Sequence, residues 1–261
     1  MDGALLTFPA EPRALPPDVI EAGRYVVRFA RTEAELDRLL RLRFEVFNLE
    51  LQEGLDEAHC TGRDEDQFDR SFHHLAISLR ETGETVGTYR MQTGEMAAAG
   101  AGFYSAGLFA LESLPPDVRR AAIEIGRACV AREHRNGRVL HLLWRGLAAY
   151  LLWNRKTTLF GCCSLTSQDP ALGTSVHRHL EAIGAVHGSC RVLPRPEHAC
   201  EPVEDGNLPP PHVPALFQAY LSLGAKVLGP PAIDRAFKTI DWLVLLDVEE
   251  LAPAVYRGFF G

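Results

Sequence analysis

The sequence lacks a long uninterrupted hydrophobic run. Its most apolar stretch, residues 139–153, contains His141 and Arg145 and is fifteen residues long, whereas a bilayer-spanning helix needs about 20 apolar residues. The first residues, "MDGALLTFPAEPRALPP", lack a basic start and contain early prolines, unlike a secretory signal peptide. We therefore expect a cytoplasmic protein without a membrane anchor, in which residues 1–23 form a flexible tail.

The sequence also lacks the cysteine spacings of a disulfide scaffold or a metal site. Its six cysteines include no CxxC pair and none at metal-ligand spacing with histidine. Such cysteines are typical of a reduced cytosol, where they serve as small apolar residues. No metal is expected, and the adjacent pairs His73–His74 and Cys162–Cys163 are assigned no chemistry.

Negative charge outnumbers positive charge except in one segment. The chain has a net charge of −7, yet residues 127–156 contain seven arginines and lysines against Glu133 alone, which gives +6 there and −13 elsewhere. This segment is either a solvated helix face or an anion site for a phosphate or an acidic partner. No nucleic-acid partner is expected.

Hydrophobic periodicity predicts a mixed α/β fold. Strands are predicted at 24–30, 85–93, 121–131, 158–165 and 242–248, and residues 64–79 read as an acidic loop that enters another strand. Helices are predicted at 32–51, 138–156, 173–185 and 213–229, the first with a capping signature at Thr32 and Glu35. Residues 132–137 are predicted as a loop and "RETGE", residues 80–84, as a hairpin turn.

Composition also predicts the domain boundaries. Residues 24–192 are expected to form the core, and the proline-rich, acidic stretch 193–211 reads as an exposed linker. Residues 212–261 are expected to form a helix–strand extension that packs on the core.

The predicted strand "AAIEIGRACVA", residues 121–131, contains unusual polar residues. In a flat strand, Glu124 and Arg127 point to opposite faces. A bulge at Gly126 changes this parity, so that both side chains face one cleft. A bulge also leaves backbone groups outside the ladder, where they are available to hold a ligand's amides or polarise a carbonyl.

The next segment, "REHRNGRV", places arginines and a glycine just before a predicted helix. Backbone N–H groups and the helix dipole favour anions at such a position. Together, the strand and this segment resemble the GNAT acyltransferase family, in which a bulged central strand and the following helix start bind the pantetheine arm. "RNGRVL" departs from the family's Q/R-x-x-G-x-G/A signature, with only Gly137 at a matching position.

Two branches of that family are closer. "RLRFEVF", "DEDQFD", "VGTYRM" and "EIGR" occur in the order seen in acyl-homoserine-lactone (autoinducer) synthases. "FGCCSLTSQDP", residues 160–170, and residues 215–248 are similar to ornithine-lipid N-acyltransferases and hemolysin-like GNAT proteins. The resemblance covers about residues 24–261. It implies an α/β GNAT (acyl-CoA N-acyltransferase) fold, with a mixed central sheet, a bulged strand, flanking helices and a C-terminal extension.

The resemblance implies catalytic and acceptor-binding roles. Glu124 is expected to be the base, with a structural ion pair to Arg127 as its alternative; burial in an apolar strand tends to raise a carboxyl pKa. Arg127 is expected to orient Glu124 or to hold the acceptor's carboxylate. The expected acceptor-binding residues, which are otherwise an acidic surface loop and its ionic partners, are Arg43, Asp66, Asp69 and Arg90.

Donor-binding roles follow in the same way. Phe47 is expected to line an acyl tunnel or to be plain core. The residues expected to hold a phosphopantetheine phosphate or the acidic helix of a carrier protein are Arg132, Arg135, Gly137 and Arg138.

The implied reaction is acyl transfer from acyl carrier protein, through its 4'-phosphopantetheine thioester, to an amino acid's α-amine. A (3-hydroxy)fatty acyl group and L-ornithine are expected, which give lyso-ornithine lipid, with no bound cofactor and with acyl-CoA as the alternative donor. Transient contact with the inner membrane surface is expected. The alternatives are an N-acyl amino acid synthase for glycine or another amine, an acyl-homoserine-lactone-type synthase, and a non-catalytic, hemolysin-like acyl-binding protein.

Overall fold

A computed structural model describes residues 8–204, 206 and 208–261, and these form nine β-strands and eight α-helices. The strands are β1 (Ile20–Ala22), β2 (Tyr25–Phe29), β3 (His73–Leu79), β4 (Thr85–Thr93), β5 (Ala122–Val130), β6 (Thr158–Leu165), β7 (Lys226–Val227), β8 (Ala232–Asp234) and β9 (Thr239–Asp247). The helices are α1 (Glu33–Phe44), α2 (Ala58–Thr61), α3 (Gly94–Ala99), α4 (Pro116–Ala121), α5 (Gly137–Asn154), α6 (Pro170–Ala182), α7 (Ala215–Ser222) and α8 (Pro253–Phe260).

The chain divides into two units. Of the described residues, the first unit comprises those from 8 to 102, 123–156 and 256–261, and the second comprises 103–122 and those between 157 and 255. The predicted division into a core, a linker and an extension is a different one and stays a prediction. Of the predicted tail, residues 1–7 lie outside the described residues, whereas residues 20–22 form β1 and the carbonyl of Ala10 accepts a hydrogen bond from His73.

The sheet of the first unit consists of β1 to β5, each antiparallel to the next. In β2, Tyr25, Val27 and Phe29 are buried and the residues between them are half-buried, as the alternating pattern predicts. The turn between β3 and β4 contains Gly83 at φ +73°, a left-handed conformation that glycine adopts without steric cost. The predicted hairpin is therefore confirmed.

Helix α1 begins at a complete capping box. The Thr32 hydroxyl accepts from the Glu35 backbone N–H, and the Glu35 carboxylate accepts from that of Thr32. The helix buries leucines and, near its end, Arg43. Residues Glu45–Glu50 then continue as a π-helical segment, where the sequence predicted a regular helix to residue 51.

Strand β5 contains the predicted bulge, displaced by one residue. Arg90 of β4 pairs with Gly126 and Thr88 pairs with Cys129, so that two β5 residues lie opposite Tyr89 alone. The extra residue falls at Arg127–Ala128, and Arg127 has φ +48°. Gly126 is the last regularly paired residue before the bulge.

Helix α5 packs on the sheet through a glycine. A Cβ at Gly146 would lie 2.6 Å from both Leu75 methyl carbons, so a larger residue there would force Leu75 of β3 to shift. The helix starts at Gly137, one residue before the predicted start, with the Asn136 side chain accepting from Val139 N–H at 3.1 Å.

In the second unit, β9 pairs antiparallel with β6, β7 and β8. A core cluster lies in this unit and includes Phe109, Phe160 and Leu243. The predicted helix 213–229 is wrong in its second half, because α7 ends at Ser222, Gly224 has φ +94° and Lys226–Val227 is a strand. Helix α6 starts at Pro170, three residues before the predicted start. None of the described helices is both long and apolar enough to cross a membrane.

Candidate active site

Six charged side chains form one ionic network in the first unit. Arg43 comes from α1, Arg90 from β4 and Arg127 from the β5 bulge, whereas the three acids lie in the loop before β3. Their formal charges cancel, three against three. The acids are Asp64, Asp66 and Asp69.

Asp69 lies at the centre of the network. Its carboxylate accepts from Arg43 Nη1 at 2.6 Å, from Arg90 Nη1 at 3.0 Å and from the backbone N–H of Asp66 at 2.8 Å. Burial opposes ionisation of Asp69, but the two guanidiniums outweigh it and hold the pKa of this carboxyl far below its ordinary value. Asp69 is therefore an anion throughout the physiological range.

Asp64 belongs to the same network and was missed from the sequence. Its Oδ2 accepts from Arg43 Nε at 2.7 Å and lies 3.2 Å from Arg127 Nε. The segment "DEDQFD" contains Asp64 beside Asp66 and Asp69, but only the folded loop shows that Asp64 faces Arg43 and Arg127.

Asp66 occupies the edge of the network. Its Oδ1 accepts from Arg90 Nη1 at 2.6 Å and its Oδ2 from Arg127 Nη2 at 3.2 Å. Its side chain is 13% exposed, against 0% for Asp64 and Asp69. Burial raises the pKa of Asp66, but the charges of Arg90 and Arg127 lower it by more. The pKa of this carboxyl is therefore below its ordinary value.

Arg90 also has aromatic contacts. Its guanidinium carbon lies 4.8 Å from the ring centroid of Phe72 and 5.9 Å from that of Phe68. Cation–π attraction adds to the ion pairs and fixes the guanidinium plane. Arg90 is thus held both by its ion pairs with Asp66 and Asp69 and by the two aromatic rings.

Arg127 combines an unusual backbone with two ionic contacts. A left-handed φ costs a non-glycine residue roughly 1–2 kcal/mol, and the ion pairs with Asp64 and Asp66 offset this cost. These pairs direct the guanidinium towards the acidic loop. The structural ion pair of Glu124 with Arg127, the alternative to a role of Glu124 as base, stays a prediction.

Glu124 is buried on β5, directly opposite Gln92 of β4. Gln92 Nε2 donates to Glu124 Oε2 at 2.8 Å and to the carbonyl of Gly102 at 2.9 Å. The carboxylate expected to act as base is thus held by a neutral amide.

His73 and His74 are buried beside the network as neutral rings. Burial lowers the pKa of each to about 4. His74 Nε2 donates to the carbonyl of Asp69 at 2.8 Å, and His73 Nδ1 accepts from the Tyr150 hydroxyl at 2.7 Å. Burial also raises the pKa of the Cys163 thiol, which is unlike an activated cysteine nucleophile.

The expected donor-binding residues lie mainly on the connection from β5 to α5. Arg132 lies in a 3-10 turn, Gly137 opens α5, and the Arg138 guanidinium lies beside Gly23. Arg135 Nη2 donates to Glu50 Oε2 at 2.7 Å, and its Nε donates to the carbonyl of Val130 at 3.0 Å. Phe47 is buried in the π-helical segment after α1.

The structure thus brings the expected catalytic and acceptor-binding residues onto adjoining elements. Arg43, Asp66, Asp69, Arg90 and Arg127 are in direct contact. Arg43 and Asp69 have no exposed side-chain surface, and their expected acceptor-binding role stays a prediction.

The chain is similar to several known proteins. Residues 42–145 match the Acetyltransferase (GNAT) domain family, a range that includes all six network residues. The chain is 31% identical to the L-ornithine N(alpha)-acyltransferase of Brucella abortus (strain 2308), with 92% of this chain and 89% of that protein covered. It is 33% identical to the same-named protein of Agrobacterium fabrum (strain C58 / ATCC 33970), with 92% and 86% covered.

Among solved structures, FeeM, an N-acyl amino acid synthase from uncultured soil microbes, superposes with a TM-score of 0.50. The identity is 12%, and 87% of this chain and 94% of that chain are covered. At this identity the likeness concerns the fold alone.

The bulged strand, the flanking helices and the domain match define a GNAT-fold acyltransferase, an enzyme with an acyl donor and an amine as substrates. Within that class, the chain belongs to the L-ornithine N(alpha)-acyltransferase family. The predicted fold, enzyme class and family are confirmed.

Proposed function

We propose that this protein transfers a (3-hydroxy)fatty acyl group from acyl carrier protein to the α-amine of L-ornithine, giving lyso-ornithine lipid. The observation that carries the proposal is the 30–33% identity to four curated L-ornithine N(alpha)-acyltransferases over about nine tenths of the chain. The buried carboxylate and ionic network beside the β5 bulge support it.

Glu124 is the proposed base. The α-amine is protonated near neutral pH, so Glu124 takes one proton, directly or through water, before the nitrogen can attack. The nitrogen then bonds to the thioester carbonyl carbon, and a backbone N–H of the bulge stabilises the oxyanion. Collapse breaks the C–S bond, and the second nitrogen proton ends on the released thiol.

Asp66 and Arg127 are the proposed acceptor contacts. Both reach the edge of the network, where a carboxylate suits an ammonium group and a guanidinium suits the amino acid's carboxylate. Arg43, Asp64, Asp69 and Arg90 form the buried support that fixes these two side chains.

The β5–α5 connection is the proposed site for the donor's phosphate and carrier protein. Arg132, Arg135 and Arg138 lie within the +6 segment, and α5 directs its backbone N–H groups towards this loop. An acidic carrier protein complements this charge, as do the phosphates of coenzyme A, the alternative donor.

The product is an amphiphile, so we place its release at the inner membrane surface. Leu152 and Trp153, at the C-terminal end of α5, are exposed apolar side chains of the kind that contact such a surface. Flotation of the purified protein with anionic vesicles tests this part of the proposal.

The direct test is mass spectrometry of lipids from a heterologous bacterium that expresses the wild type or Glu124→Gln. A new N-acylornithine in the wild type alone supports the proposal, and the fragment ions identify the amine. An N-acylglycine or an acyl-homoserine lactone as the product would show that the acceptor is not ornithine. The same lipid from both proteins would show that Glu124 is not the base.

A further inference from the structure

Gln92 occupies a position that the ionic network does not explain. It lies on β4 directly opposite Glu124 and is almost fully buried. Burial of a glutamine side chain is costly unless its amide forms hydrogen bonds. Here the Nε2 group donates to two acceptors, Glu124 Oε2 at 2.8 Å and the Gly102 carbonyl at 2.9 Å.

The direction of this amide is fixed by its surroundings. Both acceptors are oxygens, so a flipped side chain would place its own carbonyl oxygen against a carboxylate and a carbonyl. Nε2 has two hydrogens, and the two bonds use both. The Gly102 carbonyl therefore anchors the amide, and the anchored amide holds one oxygen of Glu124.

We infer that Gln92 is a positioning residue for the base: its amide, anchored on Gly102, sets the carboxylate plane of Glu124 and stabilises the ionised form. The inference rests on the proposed function, since it assigns Glu124 the role of base. An amide donor suits the task, because it favours the anion without accepting the proton that the base must collect.

The alternative is that Gln92 only ties the loop at Gly102 to the sheet. Such a tie predicts a lower free energy of unfolding in its absence but no change in the kcat of the folded protein. The two roles are therefore separated by the kcat of the folded variant, which only the positioning role lowers.

Two variants test the inference. Gln92→Met keeps the length of the side chain but removes the donor, and Gln92→Glu replaces it with a second carboxylate. The control is Thr88→Val, a near-isosteric change at a buried position four residues away on the same strand. Arg90 and Arg127, the other charged residues of β4 and β5, are unchanged in all three.

We expect Gln92→Met to lower kcat about tenfold with little change in the KM for ornithine, because general-base catalysis depends on orientation. The acid limb of the kcat profile should move to higher pH, and further in Gln92→Glu, where like charges oppose ionisation. Thr88→Val should match the wild type in kcat and in the position of that limb.

A measurement without substrate keeps the inference separate from the proposed function. Carboxyl carbon NMR of the folded proteins, with the Glu124 signal assigned from Glu124→Gln, should give a higher pKa for this residue in Gln92→Met than in the wild type. An unchanged pKa in a folded variant would overturn the positioning role. A raised pKa of Glu124 in Gln92→Met, together with a wild type that does not acylate ornithine, would uphold the positioning role and reject ornithine as the acceptor.

Discussion

Arg127 Nη2 donates to Asp66 Oδ2 at 3.2 Å, and this contact joins the bulge of β5 to the acidic loop before β3. The two residues are 61 positions apart in the chain. The bulge redirects one guanidinium into a network of three arginines and three aspartates, and Asp66 is the carboxylate of that network with exposed surface. The buried side chains of the network therefore determine the shape of the site, and the side chains at its edge are those available for the proposed contacts with the acceptor.

Asp66 and Asp69 should respond differently to the same change. Asp69→Asn leaves Arg43 and Arg90 without their shared buried anion, and we expect a loss of about 3–5 kcal/mol in the free energy of unfolding. Asp66→Asn should destabilise less and raise the KM for ornithine instead. Urea denaturation and steady-state kinetics of the two matched variants check this, and equal stability losses with an unchanged KM would contradict it.

The two buried histidines predict acid sensitivity. Burial lowers the pKa of His73 and His74 to about 4 in the folded protein, against about 6.5 in the unfolded chain. Between these values the unfolded state binds more protons, so stability falls as the pH drops from about 6.5 to about 4. The loss over the whole window is on the order of 3 kcal/mol for each histidine.

His74→Gln keeps an N–H donor for the Asp69 carbonyl but does not titrate. We expect its free energy of unfolding to vary less with pH over that window than that of the wild type. Denaturant titrations at pH 7 and pH 5 give the comparison. A pH dependence equal to that of the wild type would show that His74 does not contribute.

The Glu50–Arg135 ion pair should compete with the donor. If Arg135 binds the donor's phosphate, Glu50→Gln frees the guanidinium and lowers the KM for the acyl donor a few fold, whereas Arg135→Ala raises it. Glu45→Gln, in the same π-helical segment, removes the same charge and is the control. A KM that rises in both Glu50→Gln and Arg135→Ala would mean that the pair only holds the loop in place.

Close packing makes Gly146 sensitive to a single methyl group. A Cβ there would approach the Leu75 methyl carbons to 2.6 Å, and overpacking of this kind costs typically 1–3 kcal/mol. Gly137→Ala, at the start of the same helix, meets open space and should not lose stability. Thermal unfolding of both variants checks the difference, and equal melting temperatures would refute it.

Local sequence patterns predict much of the secondary structure. The Thr32–Glu35 capping box, the hairpin at Gly83 and strand β4 follow from residues close together in sequence, and the structure has them as predicted. Helix 213–229 was wrong because the short apolar run after Gly224 fits a buried strand as well as a helix. Its pairing with β9, a tertiary contact, decides between them.

In the candidate site, too, some features follow from the local sequence and others depend on tertiary contacts. The residue types for an ionic network were visible in the sequence, but the choice of acid for each arginine depends on where the loop lies after folding. Asp64 was missed for this reason, although it meets both Arg43 and Arg127. Gln92 was missed because a cross-strand partner of Glu124 is defined only by the register of β4 and β5.

The most direct test of the account uses the purified protein with acyl carrier protein carrying a 3-hydroxyacyl group. Ornithine, glycine and lysine are offered separately, and the N-acyl products are measured by mass spectrometry. The account predicts N-acylornithine as the main product of the wild type and a loss of at least about a hundredfold in Glu124→Gln. Full turnover by folded Glu124→Gln, or a product from glycine in place of ornithine, would contradict it.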